Sequence, residues 1–162
     1  MTDWNADPAA TRTLPINDGY WAFAFEDSGV GLWDWDVTTN RVMFSNGWKD
    51  MFGYAENEVG NDLEEWTSRV HPDDRPQAMA DIQRHFQGET AMFANEHRMR
   101  CKDGSYKWVL ERGKIFSRTR DGKPLRVLGS HIDITARKQE EEGRLKRETL
   151  LSLMLKTGPG CI

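Results

Sequence analysis

The residues in this chain best suited to chemistry are its four histidines. His71 is followed by Asp73 and Asp74, His97 sits between Glu96 and Arg98, and His131 lies two residues before Asp133. His85 stands between Arg84 and Phe86. An imidazole near a carboxylate titrates close to neutral pH, which suits it to general acid/base work or ligand binding. Each also has a plainer reading. His71-Pro72-Asp73-Asp74 reads as a helix start, where carboxylates stabilise the positive end of the dipole. Glu96 and Arg98, two apart, share one strand face and suit an ion pair or cross-strand contact, while Phe93, His97 and Met99 share the other. An enzyme using His97 or His131 as a base would need an acidic partner on that second face, and Glu96 points the wrong way for His97. His85 is one position off an Ala78–Ile82–Phe86 stripe and reads as a surface residue. No Gly-rich phosphate loop, nucleophile elbow or paired-cysteine metal motif is present. Cys101 and Cys161 are far apart and read as reduced thiols.

The elements that position these residues follow from periodicity. Three strand-like runs, 92–101, 106–117 and 125–134, are separated by Asp103-Gly104 and Asp121-Gly122, pairs that supply the positive φ of tight hairpins. In the last run Val127, Gly129, His131 and Asp133 share one face, and Leu128, Ser130, Ile132 and Ile134 the other. From Thr135 onward the residues are good helix formers, with Thr135 placed as N-cap and Asp133 near the positive dipole end. Lys138 at the third helical position leaves no reciprocal capping box. Upstream, 30–37 alternates with Trp33, Trp35 and Val37 on one side, Thr38-Thr39-Asn40 turns the chain, and 41–44 returns. Short helical pieces fit between Asn46 and Trp66. A longer helix opens at His71-Pro72, buries Ala78, Ile82 and Phe86, and ends at Gly88.

These segments resemble the PAS family of sensory domains. The matching residues are Gly31-Leu32-Trp33-Asp34-Trp35-Asp36, His71-Pro72-Asp73-Asp74-Arg75, Glu96-His97-Arg98, Lys102-Asp103-Gly104-Ser105-Tyr106-Lys107-Trp108, and Gly129 to Thr135 ending in Asp133-Ile134-Thr135. The resemblance implies an α+β fold with a five-stranded antiparallel sheet in the order 2-1-5-4-3 and helices over one face. It also implies an internal pocket, with Trp35, Phe44, Phe52, His97, Met99, Gly129 and His131 as candidate lining. His131 lies where flavin-binding members carry a glutamine, but their reactive cysteine motif is missing between Asn46 and Trp66. Haem in this family is held by a histidine on the long helix, which makes His85 a weak candidate ligand. Asp133-Ile134-Thr135 is the expected transmission point into a downstream output domain, a histidine kinase or a diguanylate cyclase or phosphodiesterase.

The chain has 162 residues, enough for one ordinary domain with extensions. Charged residues are 30% and the formal net charge is −4, which argues against nonspecific grip on nucleic acid. No apolar run approaches the roughly 20 residues of a membrane span, and the N-terminus lacks a signal-peptide pattern, so a cytoplasmic location is expected. Residues 1–16 read as a disordered leader and 17–27 as an aromatic cap helix. Residues 28–135 read as the domain, 136–156 as a linker helix, and 157–162 as the truncated start of a second PAS domain. A homodimer through the cap and linker helices is the expected assembly. The competing readings are a ligand-free interaction module and, behind it, a small α+β enzyme.

Overall fold

The computed structural model describes residues 28–157. The leader, the cap helix and residues 158–162 lie outside the described residues. In chain order the elements are β1 (Val30–Asp36), β2 (Arg41–Phe44), α1 (Asn46–Met51), a 3-10 turn (Glu56–Glu58), α2 (Glu64–Thr67) and α3 (Arg75–Phe86). These are followed by β3 (Phe93–Arg100), β4 (Tyr106–Arg118), β5 (Pro124–Asp133) and α4 (Thr135–Lys156). The strands form one antiparallel sheet in the order β2-β1-β5-β4-β3, as the resemblance implied.

Both Asp-Gly hairpins use the same device. Cys101 and Thr119 each donate their backbone N–H to a carbonyl four residues on (Ser105 and Lys123), and each accepts from the following glycine, Gly104 or Gly122. Only the glycines take positive φ, 86° in each case, so these are three-residue loops with a glycine bulge rather than two-residue turns. Their matched geometry fixes the register of both hairpins.

One sheet face is covered by the helices. Gly31 lets α1 lie directly on β1: a Cβ there would come within 2.8 Å of Trp48 Cα. The Ser45 hydroxyl caps α1 by accepting from Trp48 N–H (3.2 Å) and also accepts from Leu32 N–H (2.9 Å), tying helix to strand. Trp48, Phe52, Met99, Val70, Val109 and Val127 are the largest fully buried apolar side chains of the resulting core.

Two local expectations need correction, and one divides. The long helix begins at Arg75 rather than at His71-Pro72; residues 72–74 form a turn, and Pro76 sits in the first helical turn. Asp74 is occupied elsewhere, since its carboxylate takes Arg98 Nε and Nη2 at 2.8 Å each and the Arg98 backbone N–H at 2.9 Å, which fastens α3 to β3. Of the two readings of Glu96 and Arg98, the cross-strand contact holds, with Arg98 lying 5.2 Å over the ring of Trp108, its partner on β4, whereas the ion pairs run from Arg98 to Asp74 and from Glu96 to Arg137 and Lys138 rather than between the two. Finally, Thr135 does not cap its own helix. Its hydroxyl accepts from Trp108 N–H (3.1 Å), and Asp133 Oδ1 accepts from Thr135 N–H (2.9 Å).

Candidate functional site

The inner sheet face carries a polar row at right angles to the strands. Asn95 on β3 pairs in register with Glu111 on β4, Glu111 pairs with His131 on β5, and His131 pairs with Gly31 on β1. His97, one inward step along β3, closes the cluster. Its ring centroid is 5.6 Å from that of His131. His97, Glu111 and His131 are all buried, with 3% exposure or less.

The hydrogen bonds assign the tautomers. Trp48 Nε1–H can only donate, so at 3.0 Å it makes His131 Nδ1 an acceptor and leaves the proton of the neutral ring on Nε2. That Nε2 lies 3.6 Å from Glu111 Oε1. His97 Nδ1 donates to Asn95 Oδ1 at 2.7 Å, which leaves the Nε2 lone pair free. Among the described residues, His97 Nε2, Glu111 Oε2, His131 Nε2 and Asn95 Nδ2 have no hydrogen-bond partner, nor do the indole nitrogens of Trp33 and Trp66.

Burial sets the charges. It pushes the Glu111 carboxyl up to about 8, only partly offset by the neighbouring Asn95 amide. It pushes His97 down to about 4, against a smaller pull upward from Asp74, and drives His131 well below its ordinary value, helped by His97. At neutral pH the cluster is therefore a carboxylic acid between two neutral imidazoles.

Beside it is a void of about 20 Å³, room for one water, walled by Trp33, Trp35, Phe44, Trp66, Glu111 and His131. Of the sequence candidates, Trp35, Phe44 and His131 are on this wall, His97 is in the adjoining cluster, and Phe52 and Met99 are buried in the core. Gly129 lies under the Trp33 indole: a Cβ there would fall 2.1 Å from Trp33 Cζ2. A flavin or haem would have to displace these rings.

His85 is buried at 4% exposure rather than at the surface. Its Nε2 accepts the Ile115 backbone N–H (3.1 Å) and its Nδ1 meets the Thr90 carbonyl (2.8 Å), so neither nitrogen is free to ligate haem. The buried stripe is Ala78–Ile82–His85, with Phe86 only partly covered. Glu111 escaped the sequence reading. The Asp103-Gly104 loop, which sets Asn95 opposite Glu111, was the signal that could have found it.

At the far end of β5 the joint to α4 is held by several bonds. Ile134 N–H donates to Trp108 O (2.9 Å), Lys107 Nζ is 3.4 Å from Asp133, and Lys138 lies 4.8 Å over the Trp108 ring while reaching Glu96. Beyond this first turn α4 leaves the sheet, and Leu145, Leu150, Leu151, Leu153 and Leu155 are exposed.

A family model described as PAS fold matches residues 41–131. The structure superposes on a sensory box histidine kinase/response regulator from Burkholderia thailandensis E264 with TM-score 0.70 and 30% identity, covering 82% of this chain and 98% of that one. The sensor protein FixL of Bradyrhizobium diazoefficiens is 30% identical over 156 residues, 93% of this chain and 30% of FixL. The N-terminal domain of a diguanylate cyclase with PAS/PAC sensor from Marinobacter aquaeolei shares the fold, with TM-score 0.59 and 17% identity over 67% of this chain and 98% of that one. The chain spans 4% and 30% of the length of the first two curated relatives it matches. A match that begins at the first residue of β2 and ends at His131, on a sheet ordered 2-1-5-4-3, places this chain in the PAS family.

Proposed function

We propose that this chain is the sensory module of a longer signalling protein, with the buried cluster as input and α4 as the lead to an output domain. The observation that carries this reading is continuity: His131 of the cluster and Asp133 of the joint lie two residues apart on β5, so a shift of the strand at one reaches the other. Physically the mechanism needs two sheet arrangements of similar energy that a ligand or partner binds unequally. A histidine kinase or a cyclic-dinucleotide enzyme is the proposed output, supported by the names of the relatives. A homodimer through α4 is supported by its exposed leucines. Among the described residues no helix is long and apolar enough to cross a membrane.

Asp133→Ala in the full-length protein is expected to remove the dependence of output on signal while the domain stays folded. Its side chain holds the Thr135 N–H and approaches Lys107, but is largely outside the core. Output assays with and without stimulus, alongside circular dichroism, check this; unchanged signal dependence would sink the transmission role. The small void favours a second reading, a ligand-free interaction module. Native mass measurement separates the two, since a retained small molecule contradicts the second.

A further inference from the structure

Three buried polar atoms of the cluster have no hydrogen-bond partner among the described residues: His97 Nε2, Glu111 Oε2 and His131 Nε2. Buried polar groups are normally paired, so three in one cluster ask for an occupant. One ligating atom from each residue can be chosen so that all lie within 4.8 Å of one another. Around an ion bound at roughly 2.0–2.1 Å such atoms stand somewhat closer, a contraction that side-chain torsions can supply.

We propose that His97, Glu111 and His131 form an interior site for one divalent transition-metal ion of the zinc class, with water from the adjoining void as a fourth ligand. Two imidazoles and one carboxylate suit zinc-class ions, whereas calcium and magnesium call for sets built of oxygen. His97 has its support in place. Its Nδ1–H is held by Asn95 Oδ1, the usual support for a ligating histidine, which fixes the ring and leaves Nε2 to ligate; Nδ1 is the nitrogen found 4.0 Å from Glu111 Oε2, so the ring adjusts to bring Nε2 to the ion. His131 must change. In the metal-free arrangement its Nε2 keeps a proton because Trp48 donates to Nδ1. To ligate through Nε2 the ring releases Trp48 and moves its proton to Nδ1, so the imidazole stays neutral. Glu111 ligates as its carboxylate, and any proton it carries leaves to solvent as the ion arrives.

The site does not depend on α4 carrying a signal, and the test reads binding alone. The 162-residue chain, stripped with chelator, is titrated with Zn²⁺ by calorimetry in buffers of different ionisation enthalpy, and with Co²⁺ by absorption and tryptophan emission. The expected result is one Zn²⁺ per chain, and quenching of emission by Co²⁺ as Trp48 loses its partner. His97→Gln and Glu111→Gln are each expected to weaken Zn²⁺ binding at least about 100-fold, as loss of a ligand should exceed the usual effect of losing its support. His71→Gln, at a partly exposed histidine, is expected to change nothing. Near-ultraviolet circular dichroism confirms that each variant is folded. Equal binding in the His97 and Glu111 variants, loss of binding in the His71 variant, or no binding by the folded wild-type chain at millimolar Zn²⁺ would each overturn the proposal.

Discussion

Glu111→Gln will remove an alkaline loss of stability that the wild-type chain suffers between about pH 6.5 and pH 8, worth on the order of 2 kcal/mol. The folded-state carboxyl is raised to about 8 from a usual 4.5, so over that interval the native chain holds a proton that the unfolded chain has lost. Its contribution is fully present below 4.5 and fades as pH rises toward 8. His97 works the other way. With a folded value near 4 against 6.5, its neutral form adds stability that is present above 6.5 and lost as pH falls toward 4. His131 is shifted in the same direction. Above pH 6.5 the histidines have little slope left, and the difference between wild type and variant isolates Glu111. Urea unfolding of both chains at matched pH values measures it. Parallel profiles would mean that Glu111 is not held as a neutral acid.

Gly129→Ala is expected to cost about 3 kcal/mol, at the upper end of the usual penalty for overpacking. The added Cβ would stand 2.1 Å from Trp33 Cζ2 and 2.3 Å from the Arg112 carbonyl oxygen. The indole is 7% exposed and stacked on Phe93 with ring centroids 6.2 Å apart, and the carbonyl belongs to the β4 ladder, so neither yields cheaply. Gly143→Ala on α4 is the contrasting case. Its nearest neighbour is the flexible end of Arg147 at 3.5 Å, and helix propensity predicts a gain of up to about 1 kcal/mol. Thermal unfolding of the two variants checks both signs; a Gly129→Ala chain as stable as wild type would show that the Trp33 ring is not fixed over the sheet.

What could be read from the sequence, and what could not, divides along physical lines. The strands and hairpins were legible because Asp-Gly pairs and two-residue alternation are local signals, and the observed runs agree to within a residue or two. Glu111 was not, because β4 defeats simple alternation. Its outer face carries Trp108 and Leu110, and Trp108 is covered there by Arg98 and Lys138, so a large apolar side chain marks the wrong side. His85 was misplaced because the stripe of α3 steps by four and then three residues, and the backbone partners at Thr90 and Ile115 that make its burial tolerable are tertiary contacts. The helix start was misplaced because Asp74 is bound to Arg98, 24 residues away.

The strand order also governs how the chain is made. β5 is the last strand in sequence and the central one in space, flanked by β1 and β4. Until residue 133 has left the ribosome, the nascent chain can assemble only two hairpins, β1 with β2 and β3 with β4, each with an unfilled edge where β5 will go. Two-stranded hairpins are marginal in water, and joining β1 to β5 closes a loop of most of the domain. The sheet thus forms in one late event, with His131 and Asp133 on the strand that completes it.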